Sequence, residues 1–190
     1  METRMMTRRR RGGFTLLELM AVIAIICVLA GIMMAGAGKA REIAKRRRTE
    51  AILDVLATAC ERYWTLYHDY PYPNPDSVGL GGDAAFRSEY YSGGWSTEGY
   101  NVTLVWMLSQ PRQPEPLIAL QERWYEKTEK DLKGPDGRNL YRVVDGFGNV
   151  IKVDRPIQYY YVNTYVKLVS SGPDGDFDET EDNLERYIKR

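Results

Sequence analysis

The chain opens with a short polar stretch, then turns apolar for residues 14–38, where Glu18 is the one charged side chain in 25 residues. At a helical rise this run spans about 37 Å, more than the hydrocarbon thickness of a bilayer, and predicts one transmembrane helix. Past Gly38 the pattern changes. Ile52, Val55, Leu56, Ala59, Cys60 and Tyr63 follow the i, i+3, i+4, i+7 spacing of an amphipathic helix with a charged opposite face. No proline interrupts the chain between Phe14 and Asp69, so a single helix of about 85 Å is expected to run to Tyr70, ended by Pro71, Pro73 and Pro75.

Beyond residue 70 the periodicity is less steady. Residues 72–99 are rich in Pro, Gly, Ser, Asp and Tyr and read as a long surface loop. Residues 102–108 form a short apolar run, helical if Asn101 caps it. Residues 117–132, bounded by Pro116 and Gly134, read as a helix with Leu117, Leu120 and Trp124 on one face. Residues 140–144 and 150–153 flank Asp145-Gly146-Phe147-Gly148-Asn149, a hairpin composition. Residues 157–169 place Tyr160, Val162, Val166 and Leu168 on one side of a strand. The fold class is therefore α+β: a long N-terminal helix, membrane-spanning in its first half, packed on a small three-stranded antiparallel sheet. The organisation is a leader (1–13), a transmembrane half-helix (14–38), an amphipathic half-helix (39–70) and a globular head (71–190) ending in an acidic loop (169–185).

Charge and cysteine content narrow the function. The formal charge is zero, but five arginines sit in residues 1–13, so the remainder is mildly acidic and lacks a broad nucleic-acid footprint. The basic cluster at residues 45–48 is interspersed with Glu42 and Glu50 and reads as a solvated juxtamembrane or intersubunit face. Cys27 and Cys60, about 50 Å apart on one helix, cannot pair, and the residues before Cys27 do not suit lipidation. A secretory signal fits poorly, because the run is long and continues into helical sequence. Flanking charge leaves the membrane orientation open, with arginines before the span and Lys39, Arg41 and residues 45–48 after it. His68 is the lone histidine and has no evident nucleophile partner. Gly79-Leu80-Gly81-Gly82 lacks the strand and the Lys-Ser or Lys-Thr of a phosphate loop, so no enzyme is expected.

Gly12-Gly13-Phe14-Thr15-Leu16-Leu17-Glu18-Leu19-Met20 resembles the prepilin processing motif of type IV pilins and type II secretion pseudopilins. The resemblance implies cleavage by a membrane peptidase on the cytoplasmic side after Gly13 and methylation of the new N-terminus at Phe14. An ionised carboxylate in an apolar helix costs about 2.5–3.5 kcal/mol and marks a functional position. The resemblance implies that Glu18 pairs with the Phe14 amine of a neighbouring subunit and sets axial register. Gly31, Ala35, Gly36 and Gly38 offer a small-residue face for close helix approach, or a weak point where the helix can loosen. Many family members carry proline where this chain has Ala35.

The turn at 145–149 loosely resembles the Asp-Pro-Trp-Gly-Asn turn of the major pseudopilin, with Phe147 in place of tryptophan and no proline. Crowded carboxylates at 169–185 need a shared hard cation, and calcium suits them. An EF-hand is excluded, because Glu179 stands where that loop needs glycine and a strand precedes it. Ser170, Gly172, Asp174 and Gly175 instead resemble the C-terminal calcium loop of major pseudopilins. The candidate ligands are Asp174 and Asp182, then Asp176 and Asp178, with carbonyls of Val169 or Ser171. A solvated acidic turn is the plainer alternative.

The family likeness implies a structural subunit of a pseudopilus or related filament in the bacterial inner membrane, its head in the periplasm. Implied partners are copies of itself, other pseudopilins, a prepilin peptidase, an inner-membrane platform with its ATPase, and membrane lipid, with no nucleic acid. The competing expectation is a membrane-tethered periplasmic calcium- or ligand-binding module that does not polymerise.

Overall fold

The computed structural model describes residues 14–109, 124–128, 130–154, 165–178 and 181–189, apart from the side chains of Ala35, Gly36 and Lys189. The chain divides into two compact units, Met1–Glu42 and Ile43–Arg190. Helix α1, Leu16–Tyr67, begins in the first and ends in the second. The remaining elements belong to the second unit: a 3₁₀ turn (Leu80–Gly82), helices α2 (Ala84–Tyr90) and α3 (Thr97–Ser109), and strands β1 (Tyr125–Lys127), β2 (Tyr141–Val143), β3 (Lys152–Asp154), β4 (Tyr165–Ser170) and β5 (Leu184–Lys189). The fold is α+β, with a long N-terminal helix and small antiparallel sheets, as the chain's patterning predicts.

Helix α1 stops at Tyr67 rather than Tyr70. His68 takes a left-handed conformation, with φ at 55°, and donates its N–H to the Trp64 carbonyl at 2.7 Å. That closes the last turn before Pro71 is reached, with a histidine in the position glycine usually fills. The apolar stripe is as expected and somewhat wider. Ile52, Leu56, Ala59 and Cys60 are buried, Val55 and Tyr63 are half-buried, and Leu53 and Ala57 join the buried set. These side chains form one core with Leu104, Val105 and Leu108 of α3 and with Val143, Ile151, Val153, Val166, Leu168 and Ile188 from the strands. Full burial of such a side chain contributes about 1.5–3 kcal/mol, so this contact dominates the unit's stability. Burial also pushes the Cys60 thiol up to about 12, which leaves it an inert core residue.

Residues 72–99 are not the long loop their composition suggests. They carry the 3₁₀ turn, α2 and the start of α3, and a second core gathers Leu80, Phe86 and Tyr90 with Val102, Leu132 and Leu140. Asp83 caps α2 by accepting the Phe86 N–H at 2.8 Å. Polar residues dilute the apolar pattern here, because each element is about two turns or shorter and anchors through one or two large side chains.

Helix α3 corrects a second expectation. Its cap is Ser96, whose Oγ accepts the Gly99 N–H at 3.1 Å. Asn101 lies inside the helix and is buried. Its Nδ2 donates to the carbonyls of Ile151 at 2.7 Å and Val143 at 3.2 Å, while its Oδ1 accepts the Val143 N–H at 2.8 Å. One amide thus joins the backbone at the base of the expected hairpin, alongside a long bond of 3.4 Å from the Ile151 N–H to the Val143 carbonyl. The expected hairpin is reduced to a Val144–Val150 bridge, and its two strands enter different sheets. β2 pairs antiparallel with β1, Tyr125 opposite Val143. β3, β4 and β5 form the other sheet, with Lys152 opposite Val169 and Ser170 opposite Leu184.

The helix expected over 117–132 is contradicted at Tyr125–Lys127, which is strand β1. Tyr125 stacks on Tyr141 at 4.8 Å and both pack on the main core, while Arg142 of β2 pairs with Glu126 at 3.2 Å and with Glu98 of α3 at 2.6 Å on the other face. Residues 117–123 lie outside the described residues. Of the long strand expected over 157–169, the described part is β4, where Val166 and Leu168 are buried as period two requires. Tyr160 and Val162 lie outside the described residues. β5 was not expected, since only Leu184 and Ile188 lend it an apolar side.

Replacing Asn101 with Ala orphans buried groups on both β2 and β3. It is expected to lower unfolding free energy by about 3 kcal/mol, read by thermal or denaturant melts, with α1 helicity unchanged in far-UV circular dichroism.

Candidate functional site

Glu18 stands in the first turn of α1, and its local chemistry is a capping box. Its Oε2 accepts the Thr15 N–H at 2.9 Å and the Thr15 hydroxyl at 3.0 Å, while the Thr15 hydroxyl oxygen accepts the Glu18 N–H at 3.2 Å. Thr15-Leu16-Leu17-Glu18 therefore starts the helix by satisfying otherwise unpaired N–H groups, and holds the carboxylate at that end. Phe14 precedes it and is 83% exposed. Gly13 lies outside the described residues.

The apolar side chains that follow are uncovered. Leu16, Leu17, Leu19, Met20, Val22, Ile23, Ile25, Ile26, Val28, Leu29 and Ile32 to Met34 are all exposed, and none of the most apolar window of α1 is buried. By length and composition this helix can cross a membrane. Lys39, Arg41, Lys45, Arg46 and Arg47 follow as an exposed basic band.

The second unit meets α1 just after that band, through a contact whose signal lies in the 145–149 turn. Thr49 is buried; its hydroxyl donates to the Lys45 carbonyl at 3.1 Å and accepts the Gly146 N–H at 2.9 Å. A Cβ on residue 146 would fall 2.0 Å from the Lys45 carbonyl oxygen, so only glycine permits this approach. Lys45 Nζ lies 5.6 Å from the Phe147 ring centroid.

Asp145 organises the turn and escaped sequence reasoning as a functional position. Buried, it accepts the N–H groups of Phe147, Gly148 and Asn149 at 2.8–2.9 Å on Oδ1 and the Ser170 hydroxyl at 2.6 Å on Oδ2. Asn149 extends the link by donating to the Gly172 carbonyl at 2.8 Å. The signal for Asp145 is an Asx residue opening a glycine-containing turn, in a stretch whose composition and likeness to a pseudopilin turn point to the turn and not to the buried carboxylate.

The acidic loop spreads its carboxylates. Asp174, Asp176 and Asp178 are exposed, and Asp174 Oδ1 and Asp176 Oδ1 each accept the N–H two residues on, at 3.0 and 2.8 Å. Asp182 is half-buried beside Gly172, and its carbonyl accepts a hydrogen bond from Arg46 at 3.4 Å. Glu185 belongs to β5 and pairs with Lys167 at 2.6 Å; that hydrogen bond holds its carboxyl below the usual range. Among the described residues no three acidic, histidine or cysteine side chains converge as a metal site. Two buried oxygens of this segment have no hydrogen-bond partner: Ser171 Oγ and Asn183 Oδ1.

Residues 8–34 match the family model of the prokaryotic N-terminal methylation motif. No curated protein and no solved structure matches the chain. A prepilin-type N-terminus supports a type IV pilin-like protein. It implies processing by a prepilin peptidase and pilin-like assembly, and with the apolar helix it accords with membrane anchoring.

Gly146→Ala drives a methyl into the Lys45 carbonyl, and Asp145→Ala strips the acceptor from four donors. Each is expected to cost about 3–5 kcal/mol in a denaturant melt, whereas Gly82→Ala, with open space around it, costs under about 1 kcal/mol.

Proposed function

We propose that this chain is a structural subunit of a helical, pilus-like filament of the type II secretion class or a close relative. The observation that carries the reading is the prepilin-type motif set on an uncovered apolar helix. Membrane lipid and neighbouring copies are two solvents for the same surface, so one helix serves both as anchor before assembly and as filament core after it. In this reading a prepilin peptidase removes residues 1–13, the head lies in the periplasm, and an inner-membrane platform inserts the subunit beside other pseudopilins.

Glu18 has a defined part in that sequence. The capping box presents its carboxylate one turn from the new amine at Phe14, and an apolar filament interior gives an unpaired carboxylate strong reason to seek a neighbour's ammonium. Taking the apolar run out of water gains on the order of tens of kcal/mol. The cost of carrying Glu18 along is therefore tolerable, and the charge selects register rather than strength. A tethered binding module gives no reason for cleavage after Gly13.

Glu18→Ala is expected to leave leader removal intact and abolish filament incorporation, assayed by shearing and sedimentation from cells expressing the variant. Normal filaments from that variant contradict the register role.

Calcium on the 169–185 loop is a second reading. The unpaired Ser171 Oγ and Asn183 Oδ1, at either end of the acidic segment, favour it, because a hard cation takes neutral oxygens alongside carboxylates. Asp174, Asp176, Asp178 and Asp182 are the carboxylates within reach along the chain. Millimolar calcium is expected to raise the melting temperature by several degrees, and chelator to reverse it. An unchanged melt identifies a solvated acidic turn.

A further inference from the structure

The apolar run of α1 ends at Gly38, and a band of exposed cations follows directly: Lys39, Arg41, Lys45, Arg46 and Arg47. Glu42 is the one acid among them. Among the described residues none of these cations enters a salt bridge, whereas Arg142 and Lys167 on the strands each hold a carboxylate. Lys45 and Arg46 do touch other groups, but neutral ones. Lys45 Nζ lies 5.6 Å from the Phe147 ring centroid, and Arg46 donates to the Asp182 carbonyl at 3.4 Å.

The placement of the band points to its counter-charge. At about 100° per residue, Lys39, Arg46 and Arg47 fall on one side of the helix and Arg41 and Lys45 on the other, so the charge forms a collar rather than a face. The collar takes up about 12 Å of the helix axis and begins where the apolar run stops. A run long enough to cross the hydrocarbon core sets the residues after it at headgroup level, and lysine and arginine side chains reach back toward that interface. A collar there meets lipid phosphates in every direction around the helix. A nucleic-acid surface gathers its cations in a stripe and adds aromatic rings for stacking, but residues 39–50 hold no aromatic side chain. A dock for one protein neighbour is one-sided as well.

We propose that this collar binds anionic phospholipid headgroups in preference to zwitterionic ones, and gathers lipid of the phosphatidylglycerol class around the end of the span. The selectivity rests on α1 lying in a bilayer, and the two fail separately.

Electron paramagnetic resonance of the full chain reconstituted in phosphatidylcholine vesicles tests it, with trace spin-labelled phosphatidylglycerol or spin-labelled phosphatidylcholine. A motionally restricted fraction of the phosphatidylcholine label reports that the helix is embedded, and the ratio of the two labels in that fraction reports selectivity. Phosphatidylglycerol is expected to be favoured about threefold or more at low salt, with the preference falling toward parity at about 0.5 M salt. The combined variant Lys39→Gln, Arg41→Gln, Lys45→Gln, Arg46→Gln and Arg47→Gln is expected to lose about half of the ratio or more, the leader arginines being common to both proteins. Exchange of lysine for arginine and arginine for lysine at the same positions keeps the ratio. Equal restriction of both labels overturns the proposal and leaves the membrane helix standing, whereas absence of any restricted fraction overturns both. A ratio that survives the glutamine variant overturns it too: loss of binding to a labelled DNA duplex in that variant assigns the band to nucleic acid, and loss of self-association in sedimentation assigns it to a neighbouring copy.

Discussion

Between Phe14 and Met34 the apolar side chains of α1 stand uncovered, and a stable state in water is closed to them. The gain from covering such a surface exceeds the worth of any single polar contact in the molecule. Lipid and neighbouring copies both meet that demand, and passage from one to the other exchanges one apolar environment for another at small net cost. In the proposed filament, direction and register come from the few polar features on the helix. Thr15 and Glu18 are the features at its start, and they are already organised by their own hydrogen bonds.

The second unit is built around the C-terminal half of α1. Its main core uses the stripe from Ile52 to Cys60 as one wall, so the strands need supply only the other. Two buried polar side chains then fix what apolar packing leaves loose. Asn101 joins Val143 to Ile151 at the base of the turn, and Asp145 ties the turn to β4. Thr49 and Gly146 bring that turn against α1 at backbone distance. Each of these contacts is geometrically exacting, because a buried amide or carboxylate without partners costs more than the bond itself returns.

What the sequence made legible follows from the length of each pattern. The apolar run, the stripe on α1 and the alternation in β4 repeat often enough to identify themselves. Residues 80–90 do not, since Leu80, Phe86 and Tyr90 are widely spaced anchors among polar neighbours. Asparagine favours helix caps, so Asn101 reads locally as one, and its long-range role has no local signature. Strand β1 owes its state to pairing with β2 and to Tyr125 packing on Tyr141 and the core, which propensity along one segment cannot register. At the candidate site, Phe14 and Glu18 announce themselves through a contiguous motif. Asp145 works through donors from its own turn and from Ser170, 25 residues on, so its importance emerges only when the chain has folded.

The central claim is that the apolar helix belongs to a subunit trimmed for assembly. Intact-mass and N-terminal peptide spectrometry of the protein extracted from its native membrane tests this most directly. The account predicts a mature chain that begins at Phe14, lacks residues 1–13 and carries one added methyl group on its terminal amine. A mature chain that retains residues 1–13 contradicts it.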